Sequence, residues 1–170
     1  MKKHLLLFLI IYSCNNTIDK PITENKTTKT DFTTVFEKSN GLETATYNEV
    51  INYYEDLANQ YSEISIKSIG ETDSGKPLHM VTLNMHSSGD SFEELRANNR
   101  ILLINNGIHP GESDGIDATM MLFRDIAQGK TEAPKQTVIV TIPVYNIGGS
   151  LNRNSTTRTN QNGPKEYGFR

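Results

Sequence analysis

The feature that most constrains the fold is a short apolar stretch, Ile101–Ile104, that ends at the polar sequence Asn105–Gly107. Four apolar residues bounded by a turn signal predict a buried strand. Beyond the turn, apolar residues recur at helical spacing over residues 116–127, with Asp114 and Asp117 in the first turn. A strand that passes through a polar turn into a helix places that turn at the carboxyl edge of an α/β sheet, where ligands bind.

Two residues of that turn, His109 and Glu112, have side chains suited to a metal ion. They lie three positions apart across a Pro-Gly corner. Imidazole nitrogen and carboxylate oxygen are both common ligands of zinc. The alternative interpretation is an exposed loop histidine, with Glu112 acting only as an anion at the start of a helix.

The sequence Asn-Asn-Gly-Ile-His-Pro-Gly-Glu, residues 105–112, closely resembles the zinc-binding motif of the M14 zinc carboxypeptidases. The resemblance runs from about Tyr47 to the last residue. It implies that His109 and Glu112 are two of the three protein ligands of a catalytic Zn²⁺, whose fourth position holds water.

The segment Tyr47–Tyr61 predicts an amphipathic helix. Thr46 is placed as an N-cap, and Glu49 three residues later completes a capping box. The apolar residues of the segment fall on one helical stripe, which is typical of a helix packed on a sheet.

Three further segments complete the predicted sheet. Residues 65–70 and 78–85 flank a turn and predict a hairpin. The β-branched stretch Thr137–Val144 predicts a further strand. Because a helical segment separates it from Ile101–Ile104, the two strands are expected to be parallel neighbours, with Val138–Ile142 paired with Ile101–Ile104 or near it. We therefore predict an α/β fold with a mixed, mainly parallel sheet and flanking helices, similar to the zinc carboxypeptidases.

Two arginines, Arg153 and Arg158, follow the last predicted strand in a polar, glycine-bearing run. An arginine at this edge of the sheet is able to stabilise negative charge on a carbonyl oxygen. The resemblance implies that Arg158 stabilises the oxyanion, with Arg153 as the alternative. A solvated loop arginine is the other interpretation of each. His79 and His86 are predicted to be structural, because neither has a matched partner for a metal.

The first residues have a different composition. A basic start, an apolar run over Leu5–Tyr12 and a small residue before Cys14 are typical of an export signal peptide. With Cys14 at the cut, residues 1–14 resemble a bacterial lipoprotein signal, which implies lipid attachment at Cys14 and a lipid-anchored place in the cell envelope. Ordinary cleavage nearby and a buried N-terminal element are the alternatives. Residues 15–40 are polar and are predicted to be a flexible tether to a domain over residues 41–170.

Composition limits the range of partners. The formal charge is −3, without a basic patch, so nucleic acid is not an expected partner. Cys14 is the single cysteine, which excludes an intramolecular disulfide. The expected partners are a peptide substrate and, through the lipid, a membrane; the oligomeric state is not predicted.

The chain departs from the family's pattern after the arginines. In the family, the third zinc histidine and the general-base glutamate lie well downstream of the His-x-x-Glu pair, and no histidine follows His109 here. We therefore expect this chain, which ends at Arg170, to be the N-terminal portion of a carboxypeptidase. Such a portion should expose apolar sheet surface and should bind zinc weakly.

The function implied by the resemblance is a zinc-dependent metallocarboxypeptidase that removes C-terminal residues from peptides. The alternatives are a catalytically inactive, lipid-anchored remnant or binding module, and a related zinc amidohydrolase or deacylase. Pro110 favours the peptidase, because the deacylases usually have glycine directly after the zinc histidine.

Overall fold

The fold is known from a computed structural model, which describes residues 30–85, 91–157 and 164–168. The described helices and strands alternate along much of the chain. They follow in the order α1 (Val35–Lys38), α2 (Tyr47–Gln60), β1 (Ile64–Glu71), β2 (Pro77–Leu83), α3 (Phe92–Asn98), β3 (Arg100–Asn105), α4 (Asp114–Ala127), β4 (Thr137–Ile142) and α5 (Ile147–Leu151).

The four strands form one mixed sheet in the order β1-β2-β4-β3. Strands β3 and β4 are parallel, with Ile101 opposite Val138 and Asn105 opposite Ile142, as the sequence predicts. The pairs β1–β2 and β2–β4 are antiparallel. The mixed α/β class is therefore confirmed, but the expectation of a mainly parallel sheet is wrong for these strands. The hairpin brings β2 back against β4, and that neighbour cannot be read from the strand–helix–strand unit alone.

One face of the sheet is covered by α2 and α4, which form the main core with it. The capping box at the start of α2 is present, since the Thr46 side chain accepts from the Glu49 backbone and the Glu49 carboxylate accepts from the Thr46 backbone. The most deeply buried side chains of this core are Val50, Tyr54, Leu57, Val81, Met120 and Phe123. Burial of each large apolar side chain contributes roughly 1.5–3 kcal/mol, which makes this face the main source of stability.

The opposite face of the sheet has a smaller cluster. Leu95 of α3 packs there with Val138 and Val140 of β4, and Met80 of β2 lies beside them. Alternate residues of β4 therefore contribute to two cores, which explains why the strand is apolar almost throughout.

Strand β3 lies at the end of the sheet order, with β4 as its hydrogen-bonded neighbour. Its side chains Ile101, Leu102 and Leu103 are 39%, 47% and 57% exposed. The expected exposure of apolar sheet surface is thus observed at this strand. A contiguous apolar edge of this kind is typical of a surface that another polypeptide covers.

The predicted tether ends too late in the sequence. Phe32 is 5% exposed and belongs to the main core, and α1 follows it. Thr34 caps α1 in a capping box with Glu37. The Arg124 guanidinium also donates to the Phe32 carbonyl at 3.0 Å. Residues 31–40 are therefore part of the folded unit, because the apolar Phe32 and the Thr-x-x-Glu pattern together outweigh the polar composition.

The predicted signal peptide, Cys14 and most of the tether lie outside the described residues. Within the part of the chain that the structure describes, no helix has the length and apolar character needed to cross a membrane.

Candidate metal centre

The corner after β3 is built by a continued backbone pairing with the segment after β4. The Asn106 amide donates to the Ile142 carbonyl at 3.0 Å, and the Tyr145 amide donates to the Asn106 carbonyl at 2.8 Å. Gly107 has a φ of +64°, and a Cβ there would lie 3.2 Å from the Val144 Cα. Only glycine fits that close approach at a positive φ without strain.

Asn106 holds this corner through its buried side chain, which is 7% exposed. Its amide nitrogen donates to the Thr119 hydroxyl at 2.9 Å and to the Thr141 hydroxyl at 3.3 Å. Its side-chain carbonyl oxygen lies close to Gly115, so that a Cβ on Gly115 would be 2.6 Å from this oxygen. One side chain thus ties the turn to α4 and to β4.

His109 and Glu112 face each other at the tip of the corner. The Glu112 amide donates to the His109 carbonyl at 2.8 Å, which closes the turn. The His109 Nδ1 and Glu112 Oε2 atoms lie 3.4 Å apart, and the two side chains are 40% and 48% exposed. The predicted pair is therefore brought together at an accessible position on the carboxyl edge of β3.

This separation fits a shared zinc ion. Zinc–nitrogen and zinc–oxygen distances are about 2.0–2.2 Å, so two ligands of a tetrahedral ion lie about 3.4 Å apart. The distance between Nδ1 of His109 and Oε2 of Glu112 has that value, whereas it is long for a direct hydrogen bond. In the described ranges, no group of three His, Cys, Asp or Glu side chains is arranged to hold a metal ion. His109 and Glu112 thus offer two ligands, and the described residues add no third beside them.

A short C-terminal segment, residues 164–168, which we call the strap, lies beside the corner. Tyr167 pairs with Asn154 through two backbone hydrogen bonds of 2.9 and 3.0 Å, and the Lys165 amide donates to the Leu42 carbonyl at 2.9 Å. The strap thus connects the loop after α5 with the N-terminal part of the folded unit.

Arg153 has contacts that are structural. Its guanidinium donates to the backbone carbonyls of Thr44 at 3.2 Å, Ala45 at 3.4 Å and Glu166 at 2.8 Å. These bonds join the strap to the segment before α2, and the alternative assignment of the oxyanion role to Arg153 stays a prediction. Arg158 lies outside the described residues, and its predicted role stays a prediction.

His79 has the structural surroundings that its sequence position indicates. Its Nδ1 lies 3.4 Å from the Tyr47 hydroxyl, which donates to the Pro77 carbonyl at 2.9 Å. Burial lowers the pKa of His79. His86 lies outside the described residues.

Asp117 was not a candidate in the sequence, although it is a buried acid in the first turn of α4. Its Oδ2 accepts from the Thr44 hydroxyl, while its Oδ1 has no hydrogen-bond partner among the described residues. Burial raises the pKa of Asp117 to about 6, against the opposing effect of the Thr44 bond. Its position three residues before Met120, on the apolar stripe of α4, is the sequence feature that indicates its burial.

A shallow cavity of about 460 Å³ adjoins the corner on the same edge of the sheet. It lies between the β1–β2 turn and the segments that follow β3 and β4. Its lining residues are Thr72, Asp73, Leu78, Ile108, Tyr145, Asn146 and Ile147. Since Ile108 directly precedes His109, the cavity and the candidate metal position are neighbours.

The fold resembles solved carboxypeptidase structures. Carboxypeptidase A from Helicoverpa armigera matches 64% of this chain with a TM-score of 0.53 and 18% identity, over 26% of its own length. Bovine thrombin-activatable fibrinolysis inhibitor, solved in complex with tick carboxypeptidase inhibitor, matches 62% with a TM-score of 0.50 and 18% identity, over 32% of its length. This chain thus spans about a quarter to a third of the solved chains that it resembles. No curated protein sequence matches it.

The zinc carboxypeptidase family model matches residues 50–168, which is well over half of the chain. The match includes the His109–Glu112 corner, both parallel strands and the segment that carries Arg153 and Arg158. The chain belongs to the M14 family of zinc carboxypeptidases.

Proposed function

We propose that this chain is the zinc-binding N-terminal portion of a metallocarboxypeptidase that removes C-terminal residues from peptides. The observation that carries the proposal is the 3.4 Å separation of His109 Nδ1 and Glu112 Oε2 at the carboxyl edge of a parallel strand pair. Membership of the zinc carboxypeptidase family supports it, because the matched residues 50–168 include this pair.

His109 and Glu112 would hold the ion through one nitrogen and one oxygen. When bound, zinc supplies a Lewis acid and lowers the pKa of its water towards about 7. The chain's own part is to hold both ligands in place before the metal arrives. The buried Asn106 side chain and the closely packed Gly107 do this, since they leave the corner few other conformations.

Arg158 is proposed as the donor to the oxygen on which charge develops. Loss of one such donor typically raises the barrier by about 3 kcal/mol. The family's third zinc ligand and general base have no counterpart among the residues of this chain that match a family motif. We therefore propose that the described part binds zinc, and that turnover depends on those additional groups.

We further propose that the protein is exported and attached to the bacterial cell envelope by a lipid on Cys14. The basic start, the apolar run and the single cysteine support this. Labelling of expressing cells with a fatty-acid analogue should mark the wild-type chain and leave Cys14→Ser unlabelled. Equal labelling of the variant would contradict attachment at Cys14.

Zinc affinity and peptide hydrolysis, measured together on the full chain, test the proposed function. We expect a zinc dissociation constant no tighter than micromolar, because two protein ligands leave the remaining positions to water, and no release of C-terminal amino acids from blocked peptides. His109→Ala should weaken zinc binding at least tenfold, whereas His79→Ala should not. Zinc binding that is unchanged in His109→Ala would contradict the assignment of the corner. Nanomolar affinity with turnover would contradict the dependence on additional groups.

A further inference from the structure

The cavity beside the metal corner has mainly apolar walls and an acidic residue at its rim. Leu78, Ile108, Tyr145 and Ile147 supply apolar surface. Ile108 and Tyr145 are 51% and 50% exposed, although both are large apolar side chains beside a candidate catalytic position. Exposed apolar side chains that line a concave surface are typical of a ligand site.

The rim of the cavity carries the Asp73 carboxylate, which belongs to a hydrogen-bonded turn. Asp73 lies between Thr72 and Ser74, whose hydroxyls are 2.7 Å apart. The Thr72 hydroxyl also donates to the Lys76 carbonyl at 2.7 Å, and the Gly75 amide donates to the Thr72 carbonyl at 3.0 Å. These bonds hold the turn, and Asp73 makes no ion pair with another described residue. Its charge is therefore available to a ligand.

We propose that this cavity binds a basic side chain of the peptide substrate, lysine or arginine. The aliphatic stem would contact Ile108 and Tyr145, and the cationic end would lie at Asp73. Lysine and arginine combine an apolar stem with a charged head, which matches apolar walls with one acid at the rim. A purely aliphatic side chain would leave the carboxylate unused, and an acidic one would meet it with like charge.

This proposal rests on the proposed function, because only a peptidase brings a peptide to this corner. The cavity itself requires neither zinc nor turnover. Binding of a non-hydrolysed side-chain analogue therefore tests the cavity separately from the metal corner.

The experiment is a methyl NMR titration of the full chain, with the isoleucine δ1 methyl groups labelled. Three probes are compared: the N-acetyl methylamides of lysine, norleucine and glutamate. Ile108 and Ile147 should report binding, because both line the cavity. An exposed ion pair is weak, so we expect lysine to bind about threefold more tightly than norleucine, and glutamate to bind most weakly. The preference should disappear in 1 M salt.

The variants assign the effect to its cause. Asp73→Asn should equalise the affinities for the lysine and norleucine probes. Aspartate and asparagine both suit a turn, so the fold should be unaffected. Glu71→Gln removes an exposed acid that does not line the cavity, and it should keep the threefold preference.

Three results would overturn the proposal. They are equal binding of lysine and norleucine to the wild type, a preference that survives Asp73→Asn, and methyl shifts confined to residues outside the cavity. None of these results bears on zinc binding at His109, so the two proposals fail independently.

Discussion

Gly168 lies directly against Pro110, so that a Cβ on Gly168 would come within 2.5 Å of the Pro110 Cβ and 3.0 Å of the Gly149 carbonyl oxygen. Pro110 separates the two candidate zinc ligands in the sequence. The strap is therefore in contact with the metal corner, although more than fifty residues separate them along the chain. The corner therefore packs against the strap as well as following β3.

Gly168→Ala should disturb the metal corner from a distance. The added methyl group overlaps Pro110, and overpacking of this kind typically costs about 1–3 kcal/mol. We expect a lower free energy of unfolding and weaker zinc binding, measured by denaturant titration and zinc competition. Gly70→Ala is the matched control, because a Cβ there meets nothing within 4 Å. Equal effects of the two substitutions would show that the strap does not support the corner.

Asn106→Ala should destabilise the protein by roughly 1–3 kcal/mol, because it removes buried hydrogen bonds to Thr119 and Thr141. Its neighbour Asn105 is exposed, so Asn105→Ala should stay within about 0.5 kcal/mol of the wild type. Chemical denaturation of both variants measures the difference. Equal losses of stability in Asn106→Ala and Asn105→Ala would show that the buried Asn106 amide does not hold the turn.

Asp117 should make the protein less stable as the pH rises from about 4 to about 6. Burial raises its pKa to about 6 in the folded protein, from 3.8. The folded state therefore binds more protons than the unfolded state in that interval, and the loss is on the order of 3 kcal/mol. Asp117→Asn should lack this loss, as denaturant titrations at pH 4 and pH 7 would show. Parallel stability curves for the variant and the wild type would refute the role of this carboxyl.

Glu37 should have the opposite pH dependence. Hydrogen bonding to Arg124 lowers its pKa from 4.5 to about 2. The contribution of the Glu37 carboxylate to the free energy of unfolding is thus present above about pH 4.5 and is lost as the pH falls through about 2. After allowance for its partial exposure, Glu37→Gln should cost about 1–2 kcal/mol at pH 7 and almost nothing near pH 2.

The control for that substitution is Glu43→Gln. Glu43 pairs with Lys165 at 3.3 Å, but both side chains are more than half exposed. Glu43→Gln should therefore change the free energy of unfolding by no more than about 0.5 kcal/mol at pH 7. A loss at Glu37→Gln that persists at pH 2 would argue against the ion pair as its cause.

Local patterns in the sequence are sufficient to predict much of this fold. The helix predicted over Tyr47–Tyr61 and the parallel pairing of Ile101–Ile104 with Val138–Ile142 are confirmed. The position of His109 beside Glu112 follows from the same strand-to-helix turn. Each of these features depends on residues that are close in the sequence, or on one strand–helix–strand unit.

The contacts that join distant segments could not be predicted. Arg153 bonds to carbonyls of Thr44 and Ala45, more than a hundred residues away, and nothing in the local sequence indicates such partners. The same holds for Gly168 and Pro110. The helix at Val35–Lys38 differs from the prediction for another reason: the polar composition of the segment favours a tether, whereas its capping box favours a helix.

X-ray absorption at the zinc edge, measured on the zinc-loaded full chain, shows which types of side chain bind the ion. Zinc bound by His109 and Glu112 should have nitrogen and oxygen donors near about 2.0–2.2 Å with the scattering of one imidazole, and no sulfur near about 2.3 Å. The imidazole signal should vanish in His109→Ala. An imidazole signal that persists in His109→Ala, or a sulfur ligand from Cys14, would contradict the assignment of the zinc site to His109 and Glu112.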